Sequence, residues 1–304
     1  MTYRICANCD RNLLASSYTS TQLSKGHGYS RCVSCVHGHH TDAPATELYD
    51  MGRYNLSESC YFGHRAINNP IAEGTFRVVA KGRYTEGERQ GQACVGKWYK
   101  WGVEVEDDLF EDDLLAVDKA LDVVNRFNQL NVADKCVKIN IPDVWDLSNG
   151  HAYEVEDEYN HDYEQPILVE PFIQNYQKWN SNSGWFDDGT VWGEVMQALS
   201  HFSFHITGGG HVLCDLQGGV YQREVILSDP VILSQFQGKY GATDLGANGI
   251  TSFFSQHVCN EFCRPNWIYP AAASEFYSPI MGTTMIRRSV PTLRSGPATT
   301  RYYR

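Results

Sequence analysis

The residues with the clearest chemical potential lie between His201 and Cys263. An apolar strand pattern ends at Asp215, Gln217 follows two residues later, and an Asp-Pro pair begins at Asp229. Carboxylate and carboxamide oxygens are ligands that suit a hard divalent cation such as Mg²⁺. A His-x-Cys-x-x-x-Cys pattern comes next, and its nitrogen and sulfur atoms suit zinc. A hard-cation site beside a structural zinc site indicates an enzyme that acts on phosphates.

The zinc-type pattern contains three ligands: His257, Cys259 and Cys263. We predict a final helix over residues 250–262 that carries them, with the two cysteines spaced i, i+4 on one helix face. A closed tetrahedral site needs a fourth ligand, and either His201 or His205 on the preceding helix can supply it. Without a metal, the two cysteines would be simple buried thiols.

A second set of metal-type residues lies at the N-terminus, where two Cys-x-x-Cys pairs occur in a polar segment. The four cysteines are Cys6, Cys9, Cys32 and Cys35. Two such pairs can close one tetrahedral zinc site, and the metal would replace the hydrophobic core that so short a segment cannot build. We therefore predict a zinc module with four cysteine ligands over residues 1–40, so that two structural zinc sites are expected in all.

Two charged residues interrupt apolar strand patterns. Lys97 lies in a strand predicted over residues 93–98, where the ordinary interpretation is a lysine that points to solvent. In phosphoryl transfer, a strand lysine instead contacts the phosphates of a nucleotide. Glu170 interrupts a strand predicted over residues 167–173, either as a strand-edge carboxylate before a proline or as a residue near a nucleotide base.

Two glycine-containing turns offer backbone N–H groups to a ligand. Gly74 precedes the first strand of the globular region, and Arg77 lies close enough in sequence to pair with a phosphate. On these residues alone an ordinary turn is favoured. Gly241 and Gly246 border the start of the last helix, where backbone N–H groups can receive an anion or the glycines can act as plain caps.

Hydrophobic periodicity predicts the elements that position these residues. Strands are predicted over residues 76–82, 93–98, 167–173 and 212–214, and helices over residues 109–130, 191–204 and 250–262. Strands come first, one long helix follows, and the later half is rich in helix and carries the metal-type residues. This order favours an α+β fold with two lobes and a site in the cleft.

The composition narrows the class of protein. The chain has 304 residues, of which 42% are hydrophobic and 20% charged, and this balance is typical of a globular protein. Its net charge of −11 argues against a general nucleic-acid binder or a membrane-surface binder. No apolar run reaches the roughly 18–20 residues that span a bilayer. We expect an intracellular, cytoplasmic protein without a membrane partner, with a nuclear location as the alternative.

Taken together and in this order, the motifs resemble the atypical alpha-kinase family, which includes elongation-factor kinases, myosin heavy chain kinases and channel-fused kinases. The matching stretches are residues 73–77, 94–97, 180–184, 200–202, 215–218, 228–230, 241–250 and 257–263. The resemblance implies a two-lobed, protein-kinase-like domain with a zinc-stabilised C-lobe. It also implies a serine/threonine protein kinase that uses ATP and Mg²⁺ and acts on a protein substrate.

The resemblance also implies roles for individual residues in the nucleotide site. Lys97 matches a phosphate-binding lysine, and Glu170 matches the carboxylate at the adenine hinge. Asp215 matches the candidate base, while Gln217 and Asp229 match metal ligands. The phosphate-facing turn matches Gly74 and Arg77, and the loop between Gly241 and Gly246 matches one associated with nucleotide or peptide binding.

Two further expectations concern zinc and domain organisation. The resemblance implies that the zinc ligands are His201, His257, Cys259 and Cys263. The domains expected are a zinc module over residues 1–40, a linker over 41–70, a kinase domain over 71–266 and a basic, disordered tail over 267–304. The N-terminal module is not part of the kinase core, and a protein or a nucleic acid is its expected partner.

Two rival functions remain at this stage. The first is a pseudokinase, an ATP-binding protein-interaction module without turnover, and the intact Lys97, Asp215, Gln217 and Asp229 argue against it. The second is a zinc-finger-type nucleic-acid binder with the kinase-like half as a support, and the acidic net charge argues against that.

Overall fold

The computed structural model describes residues 3–7, 12–26, 29–33, 36, 50–63, 69–73, 77–99, 110–145, 152–155 and 166–286. Cys9, Cys35 and Gly74, which the sequence singles out, lie outside these described residues. The same holds for the part of the predicted tail that follows Ile286.

The described residues form sixteen strands and four α-helices. The strands are β1 (Tyr3–Ile5), β2 (Asn12–Leu14), β3 (Gly52–Tyr54), β4 (Ser59–Phe62), β5 (Ala72–Glu73), β6 (Arg77–Tyr84), β7 (Ala93–Tyr99), β8 (Cys136–Ile141), β9 (Asp143–Trp145), β10 (Ala152–Val155), β11 (Ile167–Pro171), β12 (Gln177–Lys178), β13 (His211–Cys214), β14 (Gln217–Val220), β15 (Glu224–Ser228) and β16 (Val231–Ser234). The helices are α1 (Ser20–Leu23), α2 (Glu111–Asn128), α3 (Val191–Ile206) and α4 (Gly246–Gln256). None of these helices combines the length and the apolar composition needed to cross a bilayer.

The first lobe is built on a seven-stranded sheet. Its strand order is β10-β4-β6-β7-β11-β9, and β5 pairs with β6. One face of the sheet packs its own core around Phe62, Trp98 and Trp145. A Cβ atom on Gly96 would lie 2.5 Å from the Phe62 ring, so only glycine lets that ring pack against β7. Because side chains alternate along a strand, Lys97 faces the opposite side of the sheet.

The second lobe combines a five-stranded sheet, a two-stranded sheet and the three longer helices. The five-stranded sheet has the order β12-β14-β15-β8-β3, and β13 pairs with β16. Helices α2 and α3 pack with these strands around the largest hydrophobic cluster, in which Phe127 and Phe202 are in ring contact. Every residue from Val195 to Phe204 in α3 is buried, so this helix is the central element of the lobe.

Local sequence explains why the long helix α2 forms where the periodicity predicts it. Its buried positions recur at helical spacing and include Val117, Val124 and Phe127. Three acidic residues in its first turn, of which Asp113 is one, lie at the positive end of the helix dipole. The predicted helices over residues 109–130 and 191–204 are therefore confirmed as α2 and α3. The strands predicted over residues 76–82, 93–98, 167–173 and 212–214 are confirmed as β6, β7, β11 and β13.

The predicted linker over residues 41–70 is wrong for residues 50–63, which contribute a strand to each lobe. Strand β3 pairs in parallel with β8, and β4 pairs with β6 and β10. Cys60 and Phe62 of β4 are buried in the core of the first lobe. These strands are short and gain their stability from partners far away in sequence, which local patterns do not reveal.

The predicted disorder of the tail is wrong for residues 267–286, which follow a defined path without helix or strand. Trp267 packs in the main core of the second lobe. Further on, side-chain oxygens of the lobe accept hydrogen bonds from the tail backbone. Ser252 Oγ accepts from Phe276 and Tyr277, Ser183 Oγ from Ile280, and Asn182 Oδ1 from Thr284. We call residues 276–286 the C-terminal strap.

Candidate active site and metal centre

A buried lysine connects the two lobes. Lys97 Nζ lies 2.6 Å from Glu170 Oε1 on the neighbouring strand β11 and 2.5 Å from Asp229 Oδ1 of the second lobe. Leu168 of β11 stands opposite Lys97, so Glu170 lies diagonally across from the lysine on the same face of the sheet. The side chain of Lys97 is only 7% exposed. The lysine therefore does not point to solvent, and the functional interpretation of Lys97 is the one that the geometry favours.

The charges around Lys97 compensate one another. Burial lowers the pKa of Lys97, but the carboxylates of Asp229 and Glu170 raise it by a larger amount. The pKa of Lys97 therefore lies above its ordinary value, and the ammonium stays charged. Burial opposes the ionisation of Asp229, yet the Lys97 charge outweighs it and holds the pKa of that carboxyl below its usual range. Glu170 is deeper, and burial raises its pKa.

Asp215 and Asp229 lie at two neighbouring points where the chain passes between the two sheets of the second lobe. Asp215 lies between β13 and β14, and Asp229 lies between β15 and β16. We call these two points the chain crossings. Cys214 pairs with Val231 on one side of the crossings, and Gln217 pairs with Ser228 on the other. Asp215 and Asp229 therefore lie within one residue of each other across the antiparallel segments. Both have positive φ angles, 59° and 50°, which turn the chain sharply at each crossing. Strand pairing, rather than proximity in sequence, brings the two carboxylates to one edge.

Asp215 is almost completely buried and is surrounded by hydrogen-bond donors. Lys178 Nζ lies 2.8 Å from its Oδ1 atom. Thr283 Oγ1 donates to its Oδ2 atom at 2.7 Å, and Gln217 Nε2 donates to the same oxygen at 3.4 Å. Burial raises the pKa of Asp215, while the charge of Lys178 and these hydrogen bonds oppose the rise. A carboxyl with a raised pKa beside a hydroxyl is suited to accept a proton.

Lys178 is a site residue that sequence reasoning missed. It lies on β12 opposite Gln217 of β14, so the strand pairing places it over the Asp215 crossing. Its charge also helps to lower the pKa of Asp229, so it acts on both carboxylates. The only signal in sequence is its place just before the 180–184 motif, because β12 is two residues long and has no apolar pattern.

Arg77 is committed to a contact inside the protein. Its guanidinium donates to Asp113 Oδ1 at 2.8 Å and to Oδ2 at 2.6 Å, and to the Tyr99 hydroxyl at 2.7 Å. Phe110 lies against the same cation. Although burial lowers the pKa of Arg77, Asp113 raises it above the ordinary value. The pair ties β6 to α2, and a phosphate contact of Arg77 stays a prediction.

The loop between Gly241 and Gly246 is organised by a buried carboxylate, Asp244. Its Oδ1 atom accepts from the backbone of Ser234 and Gly246, and its Oδ2 atom accepts from the Ser234 hydroxyl and the Tyr240 backbone. Gly246 has a φ of +72°, and a Cβ atom there would lie 3.0 Å from the backbone of Gln237. Asp244 thus holds the loop in a defined shape, and ligand binding by the loop stays a prediction.

Four zinc-type ligands of the second lobe converge. One ligand atom from each lies within 4.8 Å of the others, and the residues are His201, His257, Cys259 and Cys263. His257 Nε2 lies 3.2 Å from His201 Nδ1, Cys259 Sγ lies 3.5 Å from His201 Nδ1, and Cys263 Sγ lies 3.8 Å from His257 Nε2. In tetrahedral zinc sites, Zn–N bonds of about 2.0–2.1 Å and Zn–S bonds of about 2.3 Å separate the ligand atoms by roughly 3.3–3.8 Å. The donor set and its spacing therefore fit zinc.

The surroundings of the two histidines leave the converging nitrogens available. His201 Nε2 lies 3.0 Å from the Ile268 carbonyl, and His257 Nδ1 lies 3.3 Å from Gln197 Oε1. Protons on these outer nitrogens leave Nδ1 of His201 and Nε2 of His257 as metal donors. Burial and the neighbouring His201 lower the pKa of His257 to about 3, so its ring is neutral. Of the two candidate histidines, His201 lies in the cluster, whereas His205 Nδ1 accepts from the Ile268 amide.

The prediction that the last helix carries these ligands is wrong. Helix α4 ends at Gln256, and His257 has an extended backbone. The two cysteines therefore lie in an irregular segment, with a turn from Asn260 to Cys263, instead of on a helix face. Asn260 explains the change, because its side chain donates to the Glu194 carbonyl and accepts from the Phe262 amide, which competes with helical bonding.

The described part of the N-terminal segment is a small unit with its own contacts. Strands β1 and β2 pair antiparallel, and Cys6, Tyr18 and Cys32 are buried together. The Cys32 amide donates to Cys6 Sγ at 3.2 Å. One cysteine of each Cys-x-x-Cys pair is therefore next to the other. The remaining ligands of the predicted zinc site, Cys9 and Cys35, lie outside the described residues.

Comparisons with known proteins find related sequences for most of the chain. A family model described as the alpha-kinase family matches residues 72–263. The alpha-protein kinase vwkA of Dictyostelium discoideum is 36% identical over 104 residues, and the eukaryotic elongation factor 2 kinase of Mus musculus is 33% identical over 108 residues. These alignments cover 33% and 35% of this chain but only 16% and 14% of the relatives, so the chain matches about a sixth of their length.

A solved structure shares the fold. The alpha-kinase domain of myosin heavy chain kinase A, in complex with AMP, superimposes with a TM-score of 0.52 at 23% identity. The match covers 64% of this chain and 86% of that domain. The two-lobed architecture with mixed α and β elements is therefore common to both.

Proposed function

The chain belongs to the alpha-kinase family, and we propose that it transfers the γ-phosphoryl group of ATP to a serine or threonine hydroxyl of a protein substrate. The observation that carries this proposal is the cluster of buried ion pairs where the two lobes meet. Lys97 bridges Glu170 and Asp229, and Lys178 bridges toward Asp215. Cations for phosphates and a carboxylate for a hydroxyl are the groups that phosphoryl transfer needs.

Each side chain has a defined task in this proposal. Lys97, buried and charged, binds nucleotide phosphates by exchanging one of its carboxylate partners for a phosphate oxygen. Asp215 orients the attacking hydroxyl and takes its proton. Lys178, beside Asp215, offsets negative charge on the transferred group. Because Lys97 and Lys178 lie on strands and Asp215 lies directly between two paired strands, these groups are in position before the reaction begins.

The residues present also fit a magnesium ion. Asp229 keeps a side chain that is 45% exposed, and Gln217 offers a carboxamide oxygen at the same edge. These two residues, as the resemblance implies, would hold Mg²⁺, which offsets phosphate charge when it is bound. Asp215 lies deeper and is already bonded to Lys178 and Thr283, which suits it for the base rather than for a metal ligand.

Zinc would have a structural role at the cluster of the second lobe and at the N-terminal cysteines. A site with four protein ligands is closed, and the His201–Cys263 cluster has four within reach. Metal analysis of the purified chain should find two zinc ions per chain if the N-terminal cysteines form the second site. Cys263→Ser should remove one ion and Cys6→Ser the other. A wild-type chain that holds no zinc after purification without chelators would contradict both sites.

The kinase proposal is tested by phosphate transfer from labelled ATP to a generic basic protein. Asp215→Asn should lower the rate by at least about a hundredfold, because a positioned base contributes roughly that much. Asp188→Asn, an exposed aspartate outside the charged cluster, is the matched control and should retain the wild-type rate. If wild type binds ATP but transfers no phosphate, the pseudokinase alternative replaces the proposal. The location of the protein in the cell and the partner of the N-terminal module stay predictions.

A further inference from the structure

The two lobes also meet away from Lys97, where the chain leaves β3 and passes the turn between β6 and β7. Arg89 Nε donates to the Tyr54 carbonyl at 2.8 Å, and the Glu88 amide donates to the Leu56 carbonyl at 3.1 Å. Strand β3 belongs to the sheet of the second lobe, and the turn belongs to the first lobe. We call residues 53–57 and 84–89 the lobe junction.

Four buried polar atoms of the lobe junction have no hydrogen-bond partner among the residues that the structure describes. They are both amide atoms of Asn55, Ser57 Oγ and the Tyr84 hydroxyl oxygen. Asn55 and Tyr84 are each only 1% exposed. Burial raises the pKa of Tyr84, so its hydroxyl keeps its proton. Because buried polar groups in proteins are almost always hydrogen-bonded, a ligand or ordered water is needed to complete these four.

Two arginines bring positive charge to the same place. Arg53 donates to Asn140 Oδ1 at 3.3 Å and to the Phe172 carbonyl at 3.4 Å, and Arg89 likewise donates only to uncharged oxygens. Within the described ranges, neither arginine forms an ion pair. Burial lowers the pKa of Arg53, and the charge of Arg89 contributes to the decrease. Both guanidinium groups therefore favour an anionic partner, and their planar forks suit the oxygens of a phosphate or a carboxylate.

We infer that the lobe junction binds a small oxyanion that also carries a hydroxyl group, and that this ligand ties the two lobes together. The charged oxygens of the ligand accept from the two arginines, from Asn55 Nδ2 and from the hydroxyls of Ser57 and Tyr84. The hydroxyl of the ligand donates to Asn55 Oδ1, which can only accept. Hydrogen phosphate and hydroxycarboxylates share this chemistry. The inference goes beyond the proposed kinase function and does not depend on it.

The positions of the two arginines explain why the ligand would connect the lobes. Arg53 lies on β3 of the second lobe and donates to the Phe172 carbonyl, directly after β11 of the first lobe. Arg89 lies in the turn of the first lobe. The bonds of Arg53 are longer than the roughly 2.9 Å of a usual hydrogen bond, so a charged acceptor can compete for its donors. An anion between the two guanidinium groups also removes the repulsion of their like charges.

The first experiment is calorimetric titration of the full chain with four probes in two matched pairs. Hydrogen phosphate and malate carry a hydroxyl group, whereas sulfate and succinate are their counterparts without one. We expect at least about tenfold tighter binding of the hydroxyl-bearing member of one pair, because a buried acceptor left unpaired disfavours the other member. The pair that shows the difference identifies the source of the oxyanion. No difference in either pair, or no probe with a Kd below about 10 mM, would overturn the inference, since water would then complete the polar groups.

Two variants and a control test the residues of the site. Arg53→Gln and Asn55→Leu should each weaken binding of the tighter probe by at least about tenfold. Arg126→Gln removes an exposed arginine of α2 that pairs with Asp122, and should bind like wild type. Without oxyanion, Asn55→Leu should melt at or above the wild-type temperature, because it replaces an unpartnered buried amide by an apolar side chain of similar size. A melting temperature well below wild type would show that the amide is already satisfied, against the inference.

Hydrogen exchange tests the connection between the lobes. The amides of Glu88 and Phe172, which donate to the Leu56 and Ala93 carbonyls, should exchange more slowly when the tighter probe is saturating, while the amides of α3 keep their rates. Binding without this added protection would overturn the tie between the lobes. Saturation with a non-hydrolysable ATP analogue should leave oxyanion binding intact. Loss of binding under that condition would place the oxyanion beside Lys97 and overturn the inference, while the kinase proposal would stand.

Discussion

The buried ion pair of Lys97 predicts a large loss of stability in Lys97→Met. The substitution keeps the side chain close to its original length but removes the charge that compensates Glu170, which is 3% exposed. Removing one partner of a buried pair costs about 3–5 kcal/mol, because the other charge is left without compensation. For a domain of this size each kcal/mol lowers the melting temperature by about 2–4 °C. We therefore expect a decrease of roughly 6–20 °C at neutral pH.

The matched control is Lys138→Met. Lys138 Nζ lies 2.8 Å from Glu224 Oε2, a distance close to that of the Lys97 pair, but both side chains are about one third exposed. An exposed pair contributes about 0–1 kcal/mol, so this variant should melt within about 4 °C of wild type. Thermal unfolding followed by circular dichroism measures both. Equal losses in the two variants, or no loss in Lys97→Met, would refute the effect of burial.

The pH dependence gives an independent check on Lys97→Met. Burial already raises the pKa of Glu170, and without the lysine the pKa rises further. A carboxyl whose pKa is higher in the folded state stabilises the fold below its unfolded pKa of about 4.3 and loses that contribution as the pH rises through the folded value. The deficit of Lys97→Met should therefore shrink as the pH falls from about 7 to about 5. Adding Glu170→Gln should restore at least about 1 kcal/mol at neutral pH.

Three further variants test other contacts. Asp244→Asn places an amide donor against the donors that now bind the carboxylate, and should lower the free energy of unfolding by about 2–4 kcal/mol. Unfolding in urea measures the change, and an unchanged urea midpoint would contradict the buried network. Asp113→Asn removes the charge that Arg77 pairs with at a partly exposed site, and should cost about 1 kcal/mol in the same assay, well below the cost of Asp244→Asn. Asn182→Ala removes the bonds that anchor the strap, so the Thr284 amide should exchange faster while the amides of α3 keep their protection; equal acceleration in both would indicate general destabilisation.

The elements with local signals were predictable from the sequence. Helix α2 has apolar residues at helical spacing along its whole length, and β6 and β7 are joined by a glycine-rich turn. Strands β3 and β4 were not predictable, because their stability comes from pairing with β8, β6 and β10, far along the chain. The spacing of Cys259 and Cys263 fits a helix and a turn equally well, and the Asn260 contacts that decide between them are tertiary.

Several residues that the structure brings together could be singled out from the sequence, but the contacts between them could not. The resemblance singled out Lys97, Asp215 and Asp229, and the structure brings Lys97 to Asp229 and places the two aspartates at neighbouring crossings. Lys178 and Thr283 could not be predicted in the same way. Each owes its position to strand pairing or to the path of the tail, and neither lies in a pattern that marks it as special.

The positive φ angles of the two aspartates limit how their roles can be probed. Most residues with a Cβ atom pay about 1–2 kcal/mol in this backbone region, while asparagine and aspartate enter it more readily because their side chains can bond to the nearby backbone. An alanine at residue 215 or 229 thus removes a carboxylate and strains a chain crossing at the same time. The loss of activity in such an alanine variant would come both from the missing carboxylate and from the strained backbone. A valine or isoleucine would add crowding at the β-branched carbon. Asparagine preserves both shape and backbone preference, so mutational libraries at these positions should show it as the best-folded inactive replacement.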